Sequence, residues 1–478
     1  MTLTKTHNRM IAGSAANVDD FGAVGDGVTD DSAAIQAAIN SSATDIILTN
    51  GKTYLCLTTL SFPSNKRLAG RAKLKLGAAA RRLIRTEKGA VNCIFEDFEA
   101  EGFSGKGGGY VGGEFAIQLD DADWSVIRNV TAYNFGGDGF YVGPDDANHN
   151  LVENCVAHDN GRQGVSIAGG SYNTVRGGSY YDNVLYGVDF EGPAVSDGLA
   201  DGVTAWGNVN GITSVVDTLG KNTITNCRCY SNTENGIQAG AAYDKVTSNT
   251  CYSNGKNGIF GASNYSVFDG NVCFENTENG ISIDPGVNRV GIVVSNNTSY
   301  KNVRSGITLN RVANSSVCGN ACVDNDSGDT TTYMGIFVTG AVGAEGDGNT
   351  IVGNTCGNTA AGVGQIYGVY IAANCSSNVV SSNAFDGNKT APIGDAGANN
   401  KFYNNNGYVN KNGGTSSAIS SGGTIAHGLA GTPTVFSATP TSAATDVVVT
   451  ANATNLTVTF GGGGSVAFAW QAALQNSV

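Results

Sequence analysis

CYSNTENGI at residues 229–237, CYSNGKNGI at 251–259 and CFENTENGI at 273–281 are one nine-residue phrase written three times at an interval of 22. The step that closes the phrase, a glycine followed by alternating apolar residues, recurs along most of the chain. It reads AIQLD from Ala116, GFYVG from Gly139, GVSIA from Gly164, GVDFE from Gly187, GITSV from Gly211 and GIQAG from Gly236, and continues to GVYIA from Gly368. The spacing is 22–26 residues between Ala116 and Gly306 and lengthens afterwards, as inserted loops would make it. A fixed period of this size means a solenoid. Short alternating segments rich in glycine and β-branched residues exclude helical repeats, so each period is one coil of a parallel β-helix. Each coil buries its apolar faces only against its neighbours, and therefore each must offer the same faces.

Successive coils of such a structure lie about 4.8 Å apart, so equivalent residues form vertical stacks. His158, Tyr181, Trp206, Tyr230, Tyr252, Phe274 and Tyr300 make an aromatic stack that buries ring area. Two places on, Asn160, Asn183, Asn208, Asn232, Asn254, Asn276 and Asn302 make an amide ladder at a turn. Cys229, Cys251, Cys273 and Cys322 form a small apolar stack. Glu234, Lys256, Glu278 and Arg304 alternate in sign as solvated turn residues.

Composition agrees with an all-β, turn-dense chain. The 478 residues include 68 glycines but only 7 prolines, 41% are hydrophobic, and no collagen triplet is present. A net charge of −13 without a basic cluster excludes nucleic acid as a partner. No segment has the length of a membrane span, and the first seventeen residues carry no signal-peptide apolar run, so neither membrane insertion nor conventional secretion is expected. The eleven cysteines sit inside strand patterns and read as free buried thiols.

A solenoid must be capped. SAAIQAAIN at 32–40 has helical spacing and an Asp30-Asp31-Ser32 start that can cap it. Ahead of it, VDDFGAVGDGVTDD at 18–31 resembles the N-terminal motif of pectate-lyase-like right-handed β-helix proteins, a superfamily that includes phage tail spikes, polysaccharide lyases and hydrolases, and mannuronan epimerases. The resemblance implies a right-handed parallel β-helix and a carbohydrate partner. The domain reading is an N-terminal extension over 1–16, the capped β-helix over 17–409, a linker over 410–424 and a small β-sandwich-like domain over 425–478. That last domain resembles modules that assist trimerisation or binding, which implies a homotrimer.

Chemistry is expected where alternate strand residues point outward. The column Gln118, Tyr141, Ser166, Asp189, Thr213 runs beside a second containing Asp120 and Glu191. Asp189 and Glu191 share one strand face about 6.5–7 Å apart at Cα, a spacing suited to paired glycosidase carboxylates. They are the catalytic candidates, with Gln118, Asp120, Tyr141 and Arg162 as substrate-binding candidates. Arg162, Arg176 and Lys245 could neutralise a uronate, as lyase chemistry would require. Asp145 and Asp146 in GPDDAN read as turn residues, and no cofactor or calcium motif accompanies them. His158 falls in the aromatic stack. VAHDNG at 156–161 is similar to a stretch of mannuronan epimerases, but DGFYVGPDD at 138–146 lacks the histidine of their active-site run.

The expectation is a tail-spike-like protein that binds and depolymerises a cell-surface or algal polysaccharide as a lyase or hydrolase. Such a protein is made in the cytoplasm and placed on a virion or outside the cell. A non-catalytic adhesin and an alginate epimerase are the alternatives.

Overall fold

The structure, a computed structural model, describes residues 14–215, 220–284, 286–360 and 362–474. Most of the N-terminal extension expected over 1–16 lies outside the described residues; Ala16 already pairs with Ile46 in the first strand pair. The chain is a right-handed parallel β-solenoid and divides into two compact units, residues 1–282 and 283–478.

In the first unit each coil gives one short strand to each of three parallel sheets. A representative coil places Thr223–Thr225 in the first sheet, Arg228–Tyr230 in the second and Ile237–Ala239 in the third. Their partners one coil on are Lys245–Thr247, Thr250–Tyr252 and Ile259–Gly261, in register, so Cys229 meets Cys251 and Tyr230 meets Tyr252. The recurring glycine has a steric cause. A Cβ on Gly211 would sit 2.6 Å from the carbonyl oxygen of Gly236, and Gly187 and Gly236 face the same clash with the next glycine of the column.

The amide ladder is present. Asn160 Nδ2 donates to Asn183 Oδ1 at 2.9 Å, and the chain of bonds runs on through Asn208, Asn232 and Asn254 to Asn276. Each amide also donates to a main-chain carbonyl of the preceding coil, as Asn254 does to Cys229 at 3.2 Å. These side chains are buried, so the ladder satisfies polar groups that would otherwise be costly.

The aromatic stack runs from Tyr133 through His158, Tyr181, Trp206, Tyr230 and Tyr252 to Phe274, with centroids 4.3–5.6 Å apart and near-parallel planes. It does not bury its rings as expected. The central residue of each strand, such as Ala157 or Cys229, fills the interior, which turns the rings onto the half-exposed outer face of the second sheet. His158 is held there between two rings, with Nδ1 2.8 Å from Asp159. None of the eleven cysteines forms a disulfide.

The N-terminal cap is one helix, Ser32–Ile39, which buries Ile35, Ala38 and Ile39. Asp30 caps it by accepting from the Ser32 amide at 3.0 Å, while Asp31 turns back to accept from the Val24 and Gly25 amides.

The second unit contains further coils, in which Asn302 Nδ2 donates to Asn325 Oδ1 at 3.0 Å and Cys322 pairs in register with Cys356. It ends in a small antiparallel β domain with a core that includes Ile425, Leu456, Val458 and Phe468. The expected linker over 410–424 is corrected: Lys411–Thr415 pairs along Phe468–Ala473, and Ile419–Ser420 pairs with Ser465–Val466. Main-chain bonding accounts for this, since glycine and serine without apolar alternation still fill edge strands.

Candidate functional site

Register places Gln118, Tyr141, Ser166, Asp189 and Thr213 as consecutive partners up the third sheet, the column read from the sequence. Its exposure differs from expectation. Gln118 and Asp120 are 4% exposed, Asp189 is 3%, and Ser166 and Thr213 are fully buried. Arg162 and Gln163, which precede the strand Val165–Ile167, bond to Glu191 and Asp189 on this face, and the loop around 103–114 brings Tyr110 against Arg162.

That loop is fixed by Glu114, a buried carboxylate that accepts from the amides of Ser104 and Gly136 at 2.8 and 3.0 Å and from the Ser104 hydroxyl at 2.6 Å. The loop sets Tyr110 against the Arg162 guanidinium, 6.0 Å from its ring centre. Phe115 stacks flat on Tyr141 at 4.7 Å, and Arg82 caps Phe115 at 5.7 Å while donating to Gln118 at 2.6 Å. Asp120 is tied to Arg85 by two nitrogens. Gln118 and Asp120 are thus held by arginines beneath the surface rather than presented to solvent as substrate contacts.

Arg162 organises the centre. Its Nη1 donates to Asp138 at 3.0 Å, its Nη2 to both carboxylate oxygens of Glu191, and Ser166 adds a 2.6 Å bond to Glu191. Gln163 donates its amide nitrogen to the second oxygen of Asp138 at 3.0 Å and its side-chain nitrogen to Asp189 Oδ2. Three carboxyl groups therefore share one cation. Burial, with repulsion from Glu191, pushes the Asp189 carboxyl well above the usual carboxylate range, and burial raises Asp138 to about 7. Asp189 Oδ1, Gln163 Oε1 and Thr213 Oγ1 are buried and have no hydrogen-bond partner in the protein.

The expected exposed acidic pair is accordingly corrected: Asp189 is buried, which favours the protonated form of its carboxyl, whereas Glu191 is half-buried in an ion pair. The other proposed uronate neutralisers do not join it. Arg176 and Lys245 lie on the first sheet, where Arg176 reaches Glu153 and Asp201. Asp145 and Asp146 hold no ligand cage, and among the described residues no group of three or more His, Cys, Asp or Glu is placed to bind a metal ion. The residues missed in the sequence are Asp138, Gln163, Tyr110 and Glu114. The first two had a signal. The position before the repeat glycine is Asn210, Asn235, Asn257 and Asn279 in a bonded ladder, and the site coils break that ladder with Asp138, Gln163 and Tyr186.

Residues 115–260 match the family model described as right handed beta helix region. Residues 15–75 match rhamnogalacturonase A/epimerase, pectate lyase-like, and residues 205–420 match periplasmic copper-binding protein (NosD). The fold is that of the pectate-lyase-like right-handed β-helices. No curated protein matches the chain in sequence. Among solved structures, it is similar to a mutant tailspike protein of E. coli bacteriophage HK620 in complex with a pentasaccharide, at 13% identity and TM-score 0.56, covering 96% of this chain and 94% of that one. An N-terminal fragment of bacteriophage Phi29 gene product 12 gives 16% identity and TM-score 0.50 over 80% and 70%. The A-module of Azotobacter vinelandii mannuronan C-5 epimerase AlgE6 gives 18% identity and TM-score 0.44 over 82% and 98%.

Proposed function

We propose that this chain is a tail-spike-like protein that binds a polysaccharide on the outer side of the third sheet and cleaves it by glycoside hydrolysis. One observation carries the reading: a buried carboxyl, Asp189, whose burial favours the protonated form, stands two residues from an ion-paired carboxylate, Glu191, on the same strand face. Asp189 would give its proton to the glycosidic oxygen, and Glu191 would activate water or attack the anomeric carbon. The partnerless oxygens of Asp189, Gln163 and Thr213 supply hydrogen-bonding capacity for substrate hydroxyls. Hydrolysis is favoured over lyase chemistry because Arg162, the cation beside the acids, is already bound to Asp138 and Glu191 and is not free to neutralise a uronate. The tailspike likeness in fold supports placement on a virion or outside the cell as a homotrimer.

The test is incubation with a panel of bacterial surface and algal polysaccharides. New reducing ends support hydrolysis, ultraviolet-absorbing unsaturated uronates would indicate a lyase, and retention without either product would favour an adhesin.

A further inference from the structure

From Asp97 on, the coils of the first unit pass through three turns each, and every one of these turns holds at least one residue in the left-handed backbone region, where side chains with a Cβ are strained and Asn, Asp and Gly are tolerated best. Two of these columns follow that rule. Between the first and second sheets, from Asp97 through Asn226 to Gly270, every such residue is Asn, Asp, Ser or Gly. Between the second and third sheets, Asn134, Asp159, Asp182, Gly207, Ser231 and Ser253 occupy the position before Glu275 ends the series.

The third column, between the third sheet and the first, starts alike with Asn65 and Asn92 and then changes. Trp124, His149 and Tyr172 follow, then Asp197 and Lys221, then Tyr243 and Tyr265, with φ of 54–64° over these seven. Five bulky rings thus sit at left-handed positions where the other two columns, up to Glu275, hold only small polar residues or glycine. The rings stack within each group, Trp124 on His149 at 4.1 Å, His149 on Tyr172 at 5.0 Å and Tyr243 on Tyr265 at 5.2 Å. They remain open to solvent: Trp124 is 59% exposed, Tyr172 56%, Tyr243 49% and Tyr265 48%. Stacked flat, they turn their edges outward, and those edges carry an indole N–H, imidazole nitrogens and phenol hydroxyls. The two coils that interrupt them matter. Asp197 follows the strand Tyr186–Glu191, which bears Asp189 and Glu191, and Lys221 follows the strand Asn210–Val215, which bears Thr213.

We infer that this ridge is a binding track for an uncharged, hydroxyl-rich glycan chain laid along the solenoid axis, with the ring-free gap level with the carboxyl cluster. This rests on the hydrolase reading for the role of the gap, but not for binding itself. Six coil steps from Trp124 to Tyr265 give a track of roughly 29 Å. Polar ring edges repeat along it at the coil spacing, which suits a polymer with regularly spaced hydroxyls. Backbone strain retained at exposed positions is the mark of a functional constraint. A polyanion is disfavoured because the chain carries a net charge of −13 and the one arginine of the adjoining cluster is already bound to Asp138 and Glu191.

Asn is the informative replacement, since it relieves the strained backbone while removing the ring. The full chain and two double variants, Trp124→Asn with Tyr172→Asn and Tyr243→Asn with Tyr265→Asn, are run by affinity electrophoresis. The gels contain neutral bacterial surface or algal polysaccharides, with alginate as the polyanionic arm. Retention by a neutral polysaccharide should weaken about tenfold or more in each double variant, with the melting temperature unchanged or raised. If wild type is retained but never shortens the polymer, the hydrolase reading fails and the track stands. Double variants retained as well as wild type, a melting temperature lowered with retention intact, retention by alginate alone, or no retention of wild type by any polymer would each overturn the track.

Discussion

Arg162 binds Glu191 through one guanidinium nitrogen and Asp138 through another, so a single cation serves carboxylates contributed by two other coils. Removing it strands Asp138, which is fully buried. Arg162→Ala is expected to lower unfolding free energy by about 1–3 kcal/mol, because buried Asp138 loses the cation and hydrogen bond that hold its carboxylate form and must take up a proton instead, while Glu191 loses its ion pair. Urea unfolding of the variant at neutral pH measures this, and an unchanged midpoint would remove Arg162 from its organising role.

Asp244 occupies a turn position held by Asn222 in the previous coil, and it accepts from the Asn222 amide at 3.0 Å. Burial raises its carboxyl to about 7, and its Oδ2 has no partner. The folded state holds this proton more tightly than the unfolded chain does, so its contribution is full at acid pH and is lost as pH rises from about 4 to about 7. Asp244→Asn should therefore match wild type near pH 4 and exceed it by about 1–3 kcal/mol at pH 8. Denaturant unfolding across that range decides the matter; a constant difference at all pH values would contradict the assignment.

Asn254 accepts from the main-chain and side-chain nitrogens of Asn232 and donates to Cys229 and Asn276. Asn254→Ala leaves a buried Asn232 amide and the Cys229 carbonyl unsatisfied, at a cost of about 2–4 kcal/mol. The same substitution at the exposed Asn50, whose side chain accepts one bond from the Arg71 amide, should cost far less. Equal thermal shifts for the two would show that the ladder is not a stabilising element.

The repeat, its register and the vertical stacks were legible because a solenoid converts sequence period directly into spatial neighbourhood: Tyr230 over Tyr252 and Ser166 beside Asp189 follow from counting alone. Burial was not legible. Alternation along Gly187–Glu191 says that Asp189 points away from the interior, but not that Gln163 and neighbouring side chains cover it. Glu114 and Tyr110 lie in a loop outside the repeat, where no column exists to flag them. The eight glycines and serines of 410–424 carry no apolar alternation, so strands held by main-chain bonds alone could not be read from them.

The central claim is that Asp189 and Glu191 act as an acid and a carboxylate partner on one glycan. The most direct measurement is the rate of new reducing ends, on a polysaccharide that wild type shortens, for Asp189→Asn and Glu191→Gln. Each should fall by roughly 10²–10⁴ while the folded chain remains intact by circular dichroism. Rates within a few-fold of wild type for either variant would contradict the assignment.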